Sequence, residues 1–284
     1  DVIVKSPGVK PSKIKNLKLK IKNSAITSQI KIFFDLCPCP IIGITGTKGK
    51  GTTSALIYEM CKKQGFDVYL GGNIGKPPFD FLDKLNPQSA VVLELSSFQL
   101  LDLNKSPHIA VMLMTTSEHL DYHKDLEEYV DAKRNILKFQ TKKDFAILNR
   151  DYIASNESDI HTNAKVFYVS TERNGYDGCF IKDNAVFLSQ NGKEEKIIDA
   201  SEILLPGKHN LENVCAASMA ATLLGVSKEN IISVLKTFKG LEHRLKLVAT
   251  IKGVKYYDDS FSTTPETAIA AINSFENPEI LILG

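Results

Sequence analysis

Between Ile41 and Ser54 an apolar run, Ile41-Ile42-Gly43-Ile44-Thr45, passes through Gly46-Thr47-Lys48-Gly49-Lys50-Gly51 into Thr52-Thr53-Ser54 and a segment of helical character. A strand that turns straight into a helix is the first half of a βαβ unit, so it commits this part of the chain to an α/β fold. Glycines let backbone amides approach phosphate oxygens, the helix N-terminus adds partial positive charge, and Lys50 adds a full one. Gly46, Thr47, Lys48, Gly49, Lys50 and Gly51 are therefore expected to cradle phosphates, with Lys50 the residue on which phosphoryl chemistry depends. The run departs from the general phosphate-loop pattern twice, because Ile44 stands where the first glycine belongs and Gly51 where Ser or Thr follows the lysine. Thr52 must then supply the hydroxyl that meets magnesium, with Thr53 the second choice. An ordinary tight strand-to-helix turn would need no ligand, but it would not need so many glycines and hydroxyls around one Gly-Lys pair.

From Pro40 onward short apolar runs alternate with helical stretches, which predicts a mostly parallel sheet. Strands are predicted at 41–45, 68–71, 90–95, 109–114, 145–149 and 166–169, and helices at 52–63, 78–85 and 126–139. From about 179 to 198 alternating runs are separated by Asp183-Asn184 and Asn191-Gly192, the signature of antiparallel hairpins. Helices resume at 210–224, stopped by Gly225, and at 228–238. Near Glu242 a further unit opens with a hairpin over 245–257, a helix over 265–275 and a strand from 279. The organisation expected is the end of an N-terminal domain at 1–36, a central phosphate-loop ATPase-type domain at 37–241, and the start of a C-terminal domain at 242–284, the outer two Rossmann-like. Strand-like runs at Val2-Ile3-Val4 and Ile280-Leu281-Ile282 make both ends look cut.

A length of 284 residues, 43% of them hydrophobic, accommodates such a core. The 35 lysines and arginines against 33 aspartates and glutamates leave a net charge of +2, so no global field favours nucleic acid or an anionic membrane. Any anion must be held by a local site. The basic stretch from Lys10 to Lys22 is interleaved with Ile14, Leu17, Leu19 and Ile21 and reads as an amphipathic surface segment. Five cysteines, an odd number without a repeated framework, point to a reducing compartment, and Cys37-Pro38-Cys39 has no second Cys/His pair at zinc-ligand spacing. No run is long enough to span a bilayer and no signal peptide opens the chain, so a cytoplasmic protein is expected.

Three further segments carry candidate chemistry. Glu94 sits inside the apolar run Ala90-Val91-Val92-Leu93-Glu94-Leu95, and a carboxylate there is costly unless paired or bound to a cation. Its place toward the carboxyl end of a buried strand, where open α/β sheets bind ligands, favours a magnesium ligand over a structural ion pair. Thr115 to His123 form a polar loop straight after another strand; His119 is the candidate for metal or substrate, whereas His123 could be a solvent-exposed loop histidine. Lys133 falls at helical spacing on the apolar stripe of Leu126, Tyr129, Val130, Ile136 and Leu137. Burial would favour its neutral, reactive amine, but a lysine that snorkels to the edge of the face fits the pattern equally.

Gly46-Thr47-Lys48-Gly49-Lys50, Gly72-Asn73-Ile74-Gly75, Leu93-Glu94-Leu95-Ser96-Ser97-Phe98-Gln99-Leu100, Glu118-His119-Leu120-Asp121, His243-Arg244 and Asp258-Asp259-Ser260 together resemble the Mur ligases of peptidoglycan synthesis. The likeness runs over nearly the whole chain, and the Asn-Ile-Gly and Glu-Leu-Ser-Ser-Phe-Gln elements favour the branch that adds D-glutamate. It implies ATP-dependent amide formation, in which phosphorylation of the carboxylate of UDP-N-acetylmuramoyl-L-alanine gives an acyl phosphate that the amine of D-glutamate attacks. It further implies that Thr52 and Glu94 hold one Mg²⁺, that His119 and a CO₂-modified (carbamylated) Lys133 hold or position a second, and that a carbamate turns Lys133 into an anionic ligand. Asn213, Arg244 and Asp259 would surround the nucleotide, with Ser6, Gly8, Asn73, Ser96, Gln99 and His119 along the UDP-linked substrate. The partners implied are small molecules, with no nucleic acid and no membrane, on a monomer. Gly51 and the run around it are also reminiscent of folylpolyglutamate synthases, Phe261 stands where a lysine is common, and a phosphate-loop switch without ligase activity is the reading from another class.

Overall fold

The computed structural model describes residues 2–9, 13, 25–116, 122–260, 265–275 and 280–282. Strand β1 (Val2–Lys5) pairs in parallel with β2 (Ala25–Ser28), and helix α1 (Gln29–Leu36) follows. The chain then runs through β3 (Ile41–Thr45), α2 (Lys50–Gln64), β4 (Val68–Gly72), β5 (Ala90–Glu94), α3 (Ser97–Leu100), β6 (Ile109–Met112), α4 (Leu126–Lys138), β7 (Phe145–Asn149), α5 (Ile153–Asn156) and β8 (Lys165–Ser170). Strands β9 (Gly178–Lys182), β10 (Ala185–Gln190) and β11 (Lys193–Asp199) lead to α6 (Lys208–Leu223) and α7 (Lys228–Thr237). A hairpin of β12 (Lys246–Ile251) and β13 (Val254–Asp258) precedes α8 (Pro265–Ile272).

Nine strands form one sheet in the order β11-β10-β9-β8-β7-β6-β3-β5-β4, parallel from β4 to β9 and antiparallel beyond. The continuous apolar runs exist because both faces are covered, which is what a parallel sheet requires. Alternation along each strand divides them: Ile42, Ile44, Val92, Ile109 and Val111 face one core with Leu56, Ile57 and Met60 of α2, whereas Ile41, Val91, Leu93, Ala110 and Met112 face another with Tyr129, Ile136 and Phe33. Each such buried aliphatic or aromatic side chain contributes roughly 1.5–3 kcal/mol. Pairing β3 between β5 and β6 makes its carboxyl end a switch point of the sheet, the place where such folds open a crevice. The loops leaving β3, β5 and β6 therefore share one edge.

The turns expected at Asp183-Asn184 and Asn191-Gly192 form, with all four residues at positive φ, as tight hairpin turns require. Elsewhere the structure departs from the sequence pattern. Residues 78–85 make two short 3₁₀ turns (Pro78–Asp80 and Leu82–Lys84) rather than an α-helix, because Phe81 is drawn into the core, stacking on Tyr69 at 5.3 Å. The strand expected to reach residue 114 ends at Met112, since Leu113 N–H bonds the Thr45 carbonyl and the Met114 carbonyl accepts from Thr47 N–H. Leu126, counted on the apolar stripe of α4, is 46% exposed at the first turn. Helix α1 had no counterpart in the predicted elements, and residues 280–282 are not in a strand. The basic stretch, apart from Lys13, and His119 with its neighbours 117–121 lie outside the described residues, as does Phe261.

Candidate functional site

The turn from β3 into α2 is shaped by contacts from the rest of the protein. Gly49, the N-cap, sits at φ 87°, and a Cβ there would stand 2.2 Å from Oδ1 of Asn213 on α6. Gly46, at φ 151°, is packed so closely that a Cβ would meet Leu113 at 2.8 Å. Thr47 fastens the loop to the end of β6: its hydroxyl donates to the Thr116 carbonyl at 2.9 Å, accepts from Thr116 N–H at 3.0 Å and meets the Tyr129 hydroxyl at 3.0 Å. Lys50 folds back over the loop, its Nζ donating to the carbonyls of Gly46 at 3.0 Å and Thr47 at 2.9 Å. The ammonium is thus held over a concave stretch of backbone at a helix N-terminus, the arrangement that fits a phosphate.

Gly51, which breaks the usual pattern, sits in tight quarters. A Cβ at that position would press on Leu241, Glu94 Oε2 and Ile74 at 3.1 to 3.3 Å. The hydroxyl therefore has to come from the next residues. Thr53 donates to Asn213 Oδ1 at 3.3 Å, while Thr52, buried at the cavity wall, is the hydroxyl left on the ligand side.

Glu94, the last residue of β5, is 6% exposed and its carboxylate lies against the start of α2. Asn73 grips it at two points, Nδ2 donating to Oε1 at 3.1 Å and the backbone N–H to the Glu94 carbonyl at 2.9 Å. A buried carboxylate held by a neutral amide, beside the hydroxyl of a phosphate loop, suits a divalent cation shared with phosphate oxygens. Among the described residues no cluster of three or more His, Cys, Asp or Glu side chains converges, so a cation here would rely on hydroxyl, phosphate and water oxygens besides Glu94.

Lys133 does not snorkel. It is 1% exposed, its Nζ donates to the Gly46 carbonyl at 2.8 Å, and it lies 4.6 Å over the Tyr129 ring. Both lysines therefore share one loop carbonyl, from opposite sides of the sheet edge. His123 is not a solvent-exposed loop residue either: it is 2% exposed, stacks on Phe98 with an interplanar angle of 7°, and bonds Ser97 Oγ through Nε2 at 3.0 Å. A histidine in a polar loop gives no sign of this, because its apolar partner comes from α3, the short helix after β5.

A cavity of about 350 Å³ opens beside the loop, lined by Lys48, Gly49 and Thr52 on one side and by Asn213, Arg244 and Asp259 on the other. Three further residues of its wall carried no signal in the sequence. Burial, aided by Arg244, pushes the His209 imidazole below its usual pKa. Burial pushes the Glu212 carboxyl up, against hydrogen bonds from Tyr152 at 3.0 Å and Asn149 at 2.8 Å. The third is Tyr152; α6 brings His209 and Glu212 to the cavity beside Asn213, and Tyr152 joins them from the start of α5 through its bond to Glu212. The candidate substrate residues are placed as follows. Ser96 and Gln99 form a capping box on α3, with Ser96 N–H donating to Gln99 Oε1 at 2.9 Å and Gln99 N–H to Ser96 Oγ at 3.3 Å. Ser6 and Gly8 lie in a turn closed by Val9 N–H on the Ser6 carbonyl at 3.1 Å, and the Tyr122 hydroxyl bonds the Pro7 and Val9 carbonyls beside it.

Residues 44–221 match the Mur ligase middle domain family. The whole chain is 41% identical to the UDP-N-acetylmuramoylalanine--D-glutamate ligase of Acetivibrio thermocellus, and spans 61% of that relative's length. Among solved structures, a UDP-N-acetylmuramoyl-L-alanyl-D-glutamate--2,6-diaminopimelate ligase superposes with a TM-score of 0.66 over 90% of this chain and 60% of its own, at 21% identity. MurF ligase from Thermotoga maritima, in complex with ADP, superposes with a TM-score of 0.63 over 96% of this chain and 70% of its own, at 19% identity. At such identities these structures bear on the fold alone.

Proposed function

The chain belongs to the Mur ligase family, and on that premise we propose that the protein containing it joins D-glutamate to UDP-N-acetylmuramoyl-L-alanine at the expense of ATP, in peptidoglycan synthesis. The observation that carries the nucleotide half is the tight loop at Gly46 to Lys50, with Lys50 held on its carbonyls and the buried carboxylate of Glu94 beside it. The identity of the amino acid rests on likeness to relatives so named, at 41% identity along the full chain.

In this reading the loop amides and Lys50 bind the β- and γ-phosphates and balance the charge that spreads over the γ-phosphoryl oxygens as it moves. Thr52 and Glu94 would hold a magnesium ion, which would supply further neutralisation of that charge. The substrate carboxylate attacks the γ-phosphorus and ADP leaves; the amine of D-glutamate then attacks the acyl carbon and inorganic phosphate leaves. The cavity bounded by Asn213, Arg244 and Asp259 takes the nucleoside. Asn73, Ser96 and Gln99, with Ser6 and Gly8, border the UDP-linked substrate. His119 and a carbamylated Lys133 would hold or position a second magnesium. Carbamylation of Lys133 requires its amine to give up a proton and its bond to the Gly46 carbonyl, so the residue has two states to choose between. We assign the reaction to the cytoplasm and to a monomer.

The test is product analysis of the full-length protein with ATP, magnesium and either UDP-N-acetylmuramoyl-L-alanine plus D-glutamate or a reduced folate plus glutamate. Phosphate release and a new amide only with the first pair are expected; turnover of the folate would overturn the assignment. For Lys133, Lys133→Ala is expected to be inactive and partly restored by short carboxylates, and a fully active variant would remove the carbamate from the scheme.

A further inference from the structure

Cys37 and Cys39, in the Cys37-Pro38-Cys39-Pro40 connection between α1 and β3, take no part in the reaction above. Both are partly buried, their Sγ atoms lie 3.6 Å apart, where either can donate to the other, and Cys37 Sγ also donates to the Cys39 carbonyl at 3.5 Å, a bond that its thiolate would give up. Cys179 and Cys215 also lie against each other, but wholly inside the core. The accessible pair is the one that a solute can reach.

Competing influences act on Cys37. Partial burial and its place at the carboxyl end of α1 oppose a thiolate, whereas the thiol hydrogen bond from Cys39 favours it and is the larger effect, holding Cys37 at about 7. Cys39 is pushed the other way, chiefly by the same hydrogen bond and by burial, with Asp67 adding to it. One sulfur is therefore a nucleophile near neutral pH and the other a protonated reserve. The backbone leaves them room to close. Cys37 N–H is tied to the Phe33 carbonyl at 2.9 Å and the Pro40 carbonyl to Val91 N–H at 3.1 Å, and between these anchors only Cys39 carries an amide, the two prolines having none. Shortening the sulfur contact to the roughly 2.0 Å of a disulfide breaks no ladder hydrogen bond.

We infer that Cys37 and Cys39 form a redox-active dithiol, a modification site that takes low-molecular-weight disulfides and closes to an intramolecular disulfide. The Cys37 thiolate attacks one sulfur of the disulfide, forming a mixed disulfide and expelling a thiolate. Cys39 then loses its proton and attacks Cys37 Sγ, forming the Cys37–Cys39 bond and expelling the second small thiolate; the small disulfide is reduced to two thiols and the protein loses two electrons and two protons. The site lies at the amino end of β3 and the phosphate loop at its carboxyl end, so this inference does not depend on the ligase reading.

The experiment exposes the folded full-length protein to glutathione disulfide, alkylates remaining thiols, and weighs the peptide that spans Cys37 and Cys39. Wild type is expected to lose two hydrogen masses there, reversibly with dithiothreitol, while Cys61, Cys179 and Cys215 remain alkylatable only after denaturation. Cys39→Ser, which keeps a hydrogen-bond donor, is expected to stop with one glutathione on Cys37. Cys37→Ser is expected to react at Cys39 at least tenfold more slowly. Independent glutathione adducts on both residues of wild type, no reaction at either, or equal reactivity of Cys39 in Cys37→Ser would each overturn the inference.

Discussion

The phosphate loop and the hairpin turns of β9 to β11 both demand left-handed backbone, and they obtain it in different ways. Asp183, Asn184 and Asn191 adopt φ values of 50°, 57° and 53° in turns whose residues prefer them locally and whose strands pair directly across. Gly49 adopts φ 87° with Asn213 of a helix more than 150 residues away filling the space a side chain would need. One region is specified by neighbours in sequence, the other by neighbours in space. The first is cheap to alter and the second is not, because a change at the loop is felt by α6, β6 and the cavity together.

The largest effect is expected at the charges this crowding positions. Lys50→Ala and Glu94→Ala should each lower nucleotide-dependent turnover of the full-length protein roughly 100- to 1000-fold, the usual consequence of losing one preorganised electrostatic group. Wild-type phosphate release from either would mean that the crowding serves stability only. Next comes Gly49→Ala, expected to cost about 1–3 kcal/mol from backbone strain, with the clash against Asn213 added to it. Adding Asn213→Ala separates the two contributions in urea midpoints: recovery of part of the loss marks the spatial component, and no recovery would assign all of it to φ. Smallest is Asn184→Ala in the hairpin, expected to cost about 1 kcal/mol, the ordinary penalty for a left-handed alanine. Nucleotide affinity should not change there; a change would couple the two regions that the comparison keeps apart.

The sheet was legible because each strand between Ile41 and Ser170 is an apolar run bounded by polar residues, and the helices between them carry a clear period. The 3₁₀ turns at Pro78–Lys84 were not, since Phe81 answers to Tyr69 and Phe33 in the core on one face of the sheet rather than to its own segment. Within the site, the strand-to-helix turn, Glu94 at a strand end and the odd lysine on α4 all announce themselves by residue type in the wrong surroundings. His209, Glu212 and Tyr152 do not, because polar residues near a helix start or in a loop are common.

By itself, then, the sequence determined the α/β class, the hairpin turns and the position of the phosphate loop, all of which follow from short-range pattern and backbone preference. Tertiary structure alone decided that Gly51 is closely surrounded by Leu241, Glu94 and Ile74, that Thr53 bonds Asn213 while Thr52 faces the cavity, that His123 is stacked on Phe98, and that Lys133 is sealed against Gly46 rather than snorkelling. Each of these depends on two segments meeting at the carboxyl edge of β3. Burial and hydrogen-bond pairing there are set by distance in space, which no local pattern along the chain encodes.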